Sequence, residues 1–264
     1  MRVIGDTRLD NVRSGFGQCE PAINDFRWGP DSSGQWETSL NWGGGPPNSN
    51  TQTALLGDSI TAPRTVTVDS PVTVKNLTFD NLSKYVVGGT GTVNFSADSG
   101  NPSVNVLNGN HEVAAKVAAG GITNVTVTSG SLDFNNEIDL AGNTLNILAG
   151  SVGINHRTTG GGAVVNSGTL GTAGSTPLGG DLTSIGTLVI DLGENNTDMF
   201  DVAGAATLSG VLQLVFEPGF TPHRQPDGLD GHQRGRERWA EPGRPVRPLY
   251  APTVCYRPAA QPGR

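Results

Sequence analysis

Cysteine and basic side chains are scarce in the central part of this chain. The 264 residues include two cysteines, Cys19 and Cys255, and both lie in the flanks. Residues 28–222 carry 5 Lys and Arg against 16 Asp and Glu. A repeat region without thiols is compatible with export to an oxidising compartment. The shortage of cations argues against nucleic acid as a partner, because phosphate binding needs clustered positive charge.

Long apolar runs and helical periodicity are also missing. No stretch approaches the roughly 20 apolar residues of a membrane helix, so we predict no membrane span in this chain. The first six residues lack the apolar stretch of a signal peptide. The single Ala-rich run, residues 112–119, is followed at once by Gly120 and Gly121. A hydrophobic content of 35% suits a narrow stacked core better than one thick core.

A short word, a glycine followed by apolar residues two positions apart, recurs along the chain. Five clear copies and two partial copies, at Gly109 and Gly168, start 18, 21, 20, 18, 18 and 24 residues apart. The clear copies begin at Gly91, Gly130, Gly150, Gly186 and Gly210. Each word describes one β-strand with one buried face, and its return every ~20 residues indicates a coiled, repetitive architecture. The sequence therefore predicts an all-β fold of the β-solenoid type.

Composition divides the chain into four sections. Residues 1–27 show no period and predict a disordered or misassigned N-terminal arm. Residues 28–63 form a Trp- and Gly-rich cap, and residues 64–222 form the solenoid repeat domain. Residues 223–264 hold 8 Arg and 7 Pro without apolar alternation. Two explanations stay open for this tail, a disordered basic segment or a GC-rich coding sequence read out of frame, and both predict that it does not fold.

Three of the four tryptophans, Trp28, Trp36 and Trp42, lie in the cap segment. Clustered large aromatic side chains can close the end of a β-stack, which the terminal repeats of a solenoid require. The alternative is a flat platform on which sugar rings stack. We favour the end cap, because these residues directly precede the first clear strand.

A family resemblance rests on the tryptophan segment through Asn48, on Leu55 to Asp58, on the strand pair within residues 65–81, and on residues 197–214. Over residues 28–222, the chain resembles bacterial, planctomycete-like exported proteins with autotransporter-associated β-strand repeats. This resemblance implies a right-handed parallel β-helix located outside the cell or on its surface. Such proteins normally add a signal peptide and a C-terminal anchor. Neither is recognised here, and a misplaced start together with a shifted frame at the end would explain both.

Leu56-Gly57-Asp58-Ser59 is similar to the nucleophile block of Gly-Asp-Ser lipases and esterases. That chemistry also needs oxyanion-hole donors and a late Asp-x-x-His, and no such motif occurs in the sequence. We therefore interpret Gly57 and Asp58 as the turn before the first strand. His111 and His156 each lack a visible partner and are interpreted as surface histidines in loops.

A cluster of oxygen-bearing side chains suggests calcium, although the strict Gly-Gly-x-Gly-x-Asp repeat is absent. Its members are Asp191, Glu194, Asn195, Asp198 and Asp201. We favour a solvated acidic turn. A polysaccharide-lyase site would need a catalytic cation beside bound calcium, but the cations of the repeat region are dispersed along the sequence. These cations are Lys75, Lys84, Lys116 and Arg157, in addition to Arg64 at the first residue of the region.

If the words occupy equivalent places in successive coils, their apolar residues share one core. The predicted core residues are Val93, Phe95, Leu132, Phe134, Val152, Ile154, Leu188, Ile190, Leu212 and Leu214. The first layers next to the cap should contain Val66, Val68, Val72, Val74, Leu77 and Phe79.

The sequence thus favours a non-enzymatic, secreted or cell-surface structural or adhesive protein, with surface polysaccharide as a candidate partner. The alternative is a carbohydrate-binding module that uses Trp28, Trp36 and Trp42. We predict no catalytic residues, no metal site and no cofactor.

Overall fold

The computed structural model describes residues 25–194 and 197–220. The arm up to residue 24 and the tail predicted for residues 223–264 lie outside the described residues. The described part contains 22 β-strands and a single turn of 3-10 helix, Ser39–Asn41. The first eleven strands are β1 Asp25–Arg27, β2 Gly34–Gln35, β3 Ser49–Leu56, β4 Arg64–Thr67, β5 Val72–Asp80, β6 Tyr85–Gly88, β7 Thr92–Phe95, β8 Ser103–Asn108, β9 Asn110–Val113, β10 Lys116–Ala119 and β11 Thr123–Phe134. The others are β12 Ile138–Asp139, β13 Thr144–Ile154, β14 Thr158–Thr159, β15 Ala163–Asn166, β16 Thr169–Gly171, β17 Ser175–Leu178, β18 Asp181–Ser184, β19 Thr187–Leu192, β20 Met199–Val202, β21 Ala206–Leu208 and β22 Val211–Phe216.

The strands stack in parallel on three faces, which we call A, B and C in the order in which each coil visits them. Face A contains β1, β3, β8, β15, β18 and β21, together with the C-terminal part of β5 and the N-terminal parts of β11 and β13. Face B contains β2, β4, β6, β9, β16, β19 and β22, with the C-terminal parts of β11 and β13. Face C contains β7, β10, β12, β14, β17 and β20, with the N-terminal part of β5. The predicted β-solenoid is confirmed, as a parallel β-helix of about eight turns.

The core is a narrow column of side chains that point inward from the three faces. On face B, His111, Leu132, Val152, Leu170 and Leu188 stand in register in successive coils, and each is at most 6% exposed. Because strand side chains alternate between the two sides of a sheet, one inward residue in every two suffices to build this column. Full burial of a Val, Leu, Ile or Phe side chain contributes about 1.5–3 kcal/mol, so stability accumulates with coil number.

Most of the predicted core is confirmed, but three residues and one repeat word differ. Ile190 is only partly buried, and Leu212 and Leu214 are 48% and 43% exposed. These two leucines lie on the last described coil, where no further described strand covers them. The word at Gly91 leads into β7 on face C, whereas the words from Gly109 onward lead into face B.

The stack begins earlier than the predicted boundary at residue 64. β1, β2 and β3 pair with the following coil, so residues 25–63 contribute strands of their own as well as the tryptophans.

Close approach between coils explains the recurring glycine. Six of the seven word glycines stand at the corner before face B. A Cβ built on Gly130, Gly186 or Gly210 would overlap the carbonyl oxygen of the word glycine one coil earlier. On Gly168 it would lie 2.6 Å from the carbonyl oxygen of Gly150. A side chain at this corner would therefore force adjacent coils apart.

Substituting Gly168 by alanine should lower the free energy of unfolding by about 1–3 kcal/mol, as overpacking of a close backbone contact does. Gly168 does not have a positive φ, so the contact alone is tested. Gly43→Ala is the matched control, because its Cβ would meet nothing within 4 Å. Urea denaturation of both variants measures the difference, and equal midpoints would contradict the corner contact as the origin of the repeat.

Candidate functional site

The three tryptophans of the cap pack on one another inside the first coil. Trp28 and Trp36 are fully buried, and Trp42 is 4% exposed. The ring centroids of Trp28 and Trp42 lie 5.2 Å apart in an edge-to-face arrangement, and those of Trp36 and Trp42 lie 4.8 Å apart. The indole N–H of Trp36 donates to the carbonyl of Pro47 at 2.9 Å, and that of Trp42 donates to the carbonyl of Trp36 at 2.7 Å.

This packing favours the end-cap interpretation of Trp28, Trp36 and Trp42. A sugar platform needs an aromatic face open to solvent. None of these rings presents such a face, and two of the three indole N–H groups are used within the cap. The backbone N–H of Trp28 and that of Trp36 also bind coil carbonyls, those of Leu55 and Thr67. The cluster is therefore continuous with the core that it covers.

Trp36→Ala should lower the free energy of unfolding by about 3–5 kcal/mol, because it leaves a cavity at the end of the core. Leu40→Ala, at a side chain that is 94% exposed in the same segment, should have little effect. Thermal and urea melts of the two variants test this. A Trp36→Ala protein as stable as the parent would show that the cluster does not close the stack.

Ser59 lies in the turn between β3 and β4, as the interpretation of Gly57 and Asp58 requires. Its hydroxyl donates to the carbonyl of Trp28 at 2.7 Å and lies 3.1 Å from the hydroxyl of Tyr85. The Tyr85 hydroxyl donates to the carbonyl of Gly57 at 2.9 Å. No histidine of the described region is among the hydrogen-bond partners of Ser59. These bonds fasten the turn to the cap rather than prepare a nucleophile.

The interpretation of His111 as a surface residue in a loop is wrong. The side chain is fully buried on the inner side of face B, stacked on the Phe79 ring at a centroid distance of 4.7 Å. Nδ1 accepts the backbone N–H of Tyr85 at 3.0 Å, so Nε2 carries the proton and donates to the carbonyl of Asn108 at 2.7 Å. The repeat word could have predicted this burial, because His111 occupies the first apolar position after Gly109, which points into the core. His156, in contrast, is exposed as predicted.

Burial lowers the pKa of His111 below its ordinary value of 6.5. The same site would lose the Tyr85 bond on protonation, because an imidazolium has no free acceptor nitrogen. Lys84 and Glu112 form an ion pair at 2.6 Å on the outer side. The positive charge of Lys84 also lowers the pKa of His111.

Stability should therefore fall as the pH drops below about 6.5, because the unfolded chain binds a proton that the folded site resists. His111→Asn keeps a side-chain acceptor and removes the titration, so its free energy of unfolding should change less between about pH 8 and pH 5. Exposed His156→Asn should keep the parent's pH dependence. Urea titrations at several pH values provide the measurement, and identical pH profiles for the parent and His111→Asn would contradict the role of His111.

Asp198 is buried, so the predicted solvated acidic turn needs correction. Its carboxylate accepts the backbone N–H of Gly174 at 2.6 Å and that of Asp191 at 3.1 Å. It thereby ties the loop after β19 to the coil before it. Asn195 lies outside the described residues. Among the described residues, no group of three or more His, Cys, Asp and Glu side chains is placed to hold a metal ion.

A shallow groove of about 210 Å³ lies on the outer side of face B. Gly153 and Gly171 stand in register and both line the groove. Asp133, Asn155 and Asp191 contribute polar side chains to its walls. Burial raises the pKa of Asp133. Chemically, the groove offers carboxylate and amide oxygens to the hydroxyl groups of a neutral ligand.

The chain matches no family model, and neither a curated protein nor a solved structure resembles it at a significant level. Within the described ranges, no helix has the length and apolar character needed to cross a bilayer.

Proposed function

We propose that this chain is a non-enzymatic structural or adhesive protein, secreted or displayed at the cell surface, whose working part is the solenoid. The proposal rests on the hydrogen bonds that the potentially reactive side chains make within the fold. The polar atoms of Ser59, His111 and Asp198 are engaged by backbone groups of their own or an adjacent coil. A group fixed in this way builds the scaffold and is not free to attack or protonate a substrate.

Three cations of the repeat region support the same conclusion. Lys84 pairs with Glu112, Lys75 with Asp98 at 3.4 Å, and Arg157 with Glu137. Each pair joins residues 20 to 28 positions apart, which is about one coil. These cations therefore link neighbouring coils along the outer surface, where each exposed pair contributes about 0–1 kcal/mol.

Polar side chains on the outer side of face A form a second set of links between coils. The side-chain amide of Asn76 donates to the Thr53 hydroxyl at 3.1 Å, and its Oδ1 accepts a hydrogen bond from the Ser103 hydroxyl at 2.8 Å. Closer to the C-terminal end of the stack, Nδ2 of Asn146 donates to Oδ1 of Asn124 at 3.2 Å. A regular stack whose solvated outer surface is held together by hydrogen bonds between coils suits a spacer or a protein displayed at the cell surface. The resemblance of the head segment to exported repeat proteins supports a location outside the cell.

Glycan binding is the second candidate, and the groove on face B favours it. The groove provides hydrogen-bond acceptors on the outer side of face B, which the buried tryptophans do not. In this version of the hypothesis, the polar side chains of face B replace Trp28, Trp36 and Trp42 as the contact residues.

The purified chain should not hydrolyse small esters or polysaccharides, and Ser59→Ala should leave this result unchanged. Turnover of either substrate class that one point substitution abolishes would overturn the non-enzymatic proposal. Co-sedimentation with insoluble polysaccharides tests the second candidate, with Asp133→Asn as the groove variant and exposed Asp69→Asn as its control. Binding that is weakened only by Asp133→Asn would favour the groove, and binding that is equal in both variants would exclude it.

A further inference from the structure

Asn108 and Gly109 form the corner between β8 and β9, and they are the one Asn-Gly pair in the sequence. The Asn108 side chain is exposed. Gly109 has a φ of 91°, and a Cβ built on it would overlap the carbonyl oxygen of Asn81 one coil earlier. The fold therefore requires a glycine directly after this exposed asparagine.

An asparagine followed by glycine is open to an internal reaction. The backbone nitrogen of Gly109 attacks Cγ of Asn108, and this new N–C bond closes a five-membered imide. The side-chain nitrogen takes up the amide proton and leaves as ammonia. Water then opens the imide at either of its carbonyls, which gives aspartate or isoaspartate at this position. The reaction needs no oxidant or cofactor, and a glycine has no Cβ to hinder the attack.

The attacking nitrogen has no backbone hydrogen bond to lose. Among the described residues, the N–H of Gly109 donates to no backbone carbonyl, whereas that of Gly186, at the same corner of a later coil, donates to Asn166 at 3.1 Å. The Asn108 side chain is held by one contact, in which Nδ2 donates to Oδ1 of Asp80 at 2.8 Å. Release of that single contact is therefore enough to bring the reacting groups together.

The product replaces a link between coils by a repulsion. Asp80 and Asn108 are in register on adjacent strands of face A. An aspartate in place of Asn108 cannot donate to the Asp80 carboxylate, and it puts a second negative charge opposite the first, which destabilises a sheet. Isoaspartate also adds one carbon atom to the main chain, beside the Asn108 carbonyl that accepts Nε2–H of His111 at 2.7 Å.

We infer that Asn108 is a site of spontaneous deamidation, and that the product loosens the contact between β5 and β8. The modification is independent of the proposed function, because it requires only water. It accumulates with the age of each molecule, and it acts on the stack at the coil that contains the buried His111.

Incubation of the full-length chain in mildly alkaline buffer, followed by peptide mass spectrometry, tests the site. We expect the peptide with Asn108 to acquire the mass change of an NH2-to-OH exchange at least tenfold faster than the peptide with Asn48, which is also exposed but precedes Ser49. Isoaspartate-specific methylation should label the same peptide. Asn108→Gln should abolish both signals there, because its longer side chain would have to close a larger ring. Equal rates at Asn108 and Asn48, or an unchanged Asn108 in the folded chain, would overturn the assignment.

The effect on the stack is tested with a variant that reproduces one product. Asn108→Asp should lower the urea midpoint at neutral pH, and addition of Asp80→Asn should restore it, because amide and carboxylate then exchange places. Asn48→Asp is the control, since its Oδ1 accepts the backbone N–H of Thr73 and a carboxylate can still do so. An Asn108→Asp protein as stable as the parent, or a double variant no more stable than Asn108→Asp alone, would overturn the loosening of the stack.

Discussion

The close contact between adjacent coils at the corner before face B is the constraint on which the rest of the structure depends. Because only a hydrogen atom fits between the Cα of each corner glycine and the carbonyl beneath it, the coils settle in one register. That register places Leu132 over His111 and Val152 over Leu132, and it sets the ion pairs and amide links on the outside. The alignment of the core and of the surface links therefore follows from one repeated backbone approach.

The fold class and most core residues could be predicted because alternation and a recurring glycine are local signals. The three-faced cross-section could not, since the glycine word marks only the corner before face B, while faces A and C carry no comparable marker. The word at Gly91 was consequently expected at a place equivalent to the other words, whereas it lies on face C. Coil length also varies with the loops, so the first coil, which contains β1 and β2, could not be separated from the cap by spacing alone.

In the candidate sites, too, features set by local sequence could be predicted, whereas features set by contacts between coils could not. Sequence identified Trp28, Trp36 and Trp42 as a cluster because the three residues are close in sequence. It identified Gly57 and Asp58 as a turn because turn residues are a local signal. It misjudged His111 and Asp198, because what decides their state lies about one coil away: the Tyr85 amide for the first and the Gly174 amide for the second. Partners at such separations are set by register, which local patterns do not reveal.

The closed first coil gives the molecule a direction of assembly. During synthesis, the tryptophan cluster and β1 to β3 leave the ribosome before any other part of the stack. They present a finished apolar layer with free strand edges, on which the next segment of roughly 20 residues can condense as soon as it emerges. Each completed coil then reproduces the same template for its successor, so nascent-chain order and structural order coincide, and long-range pairing never has to wait for the distant end of the chain.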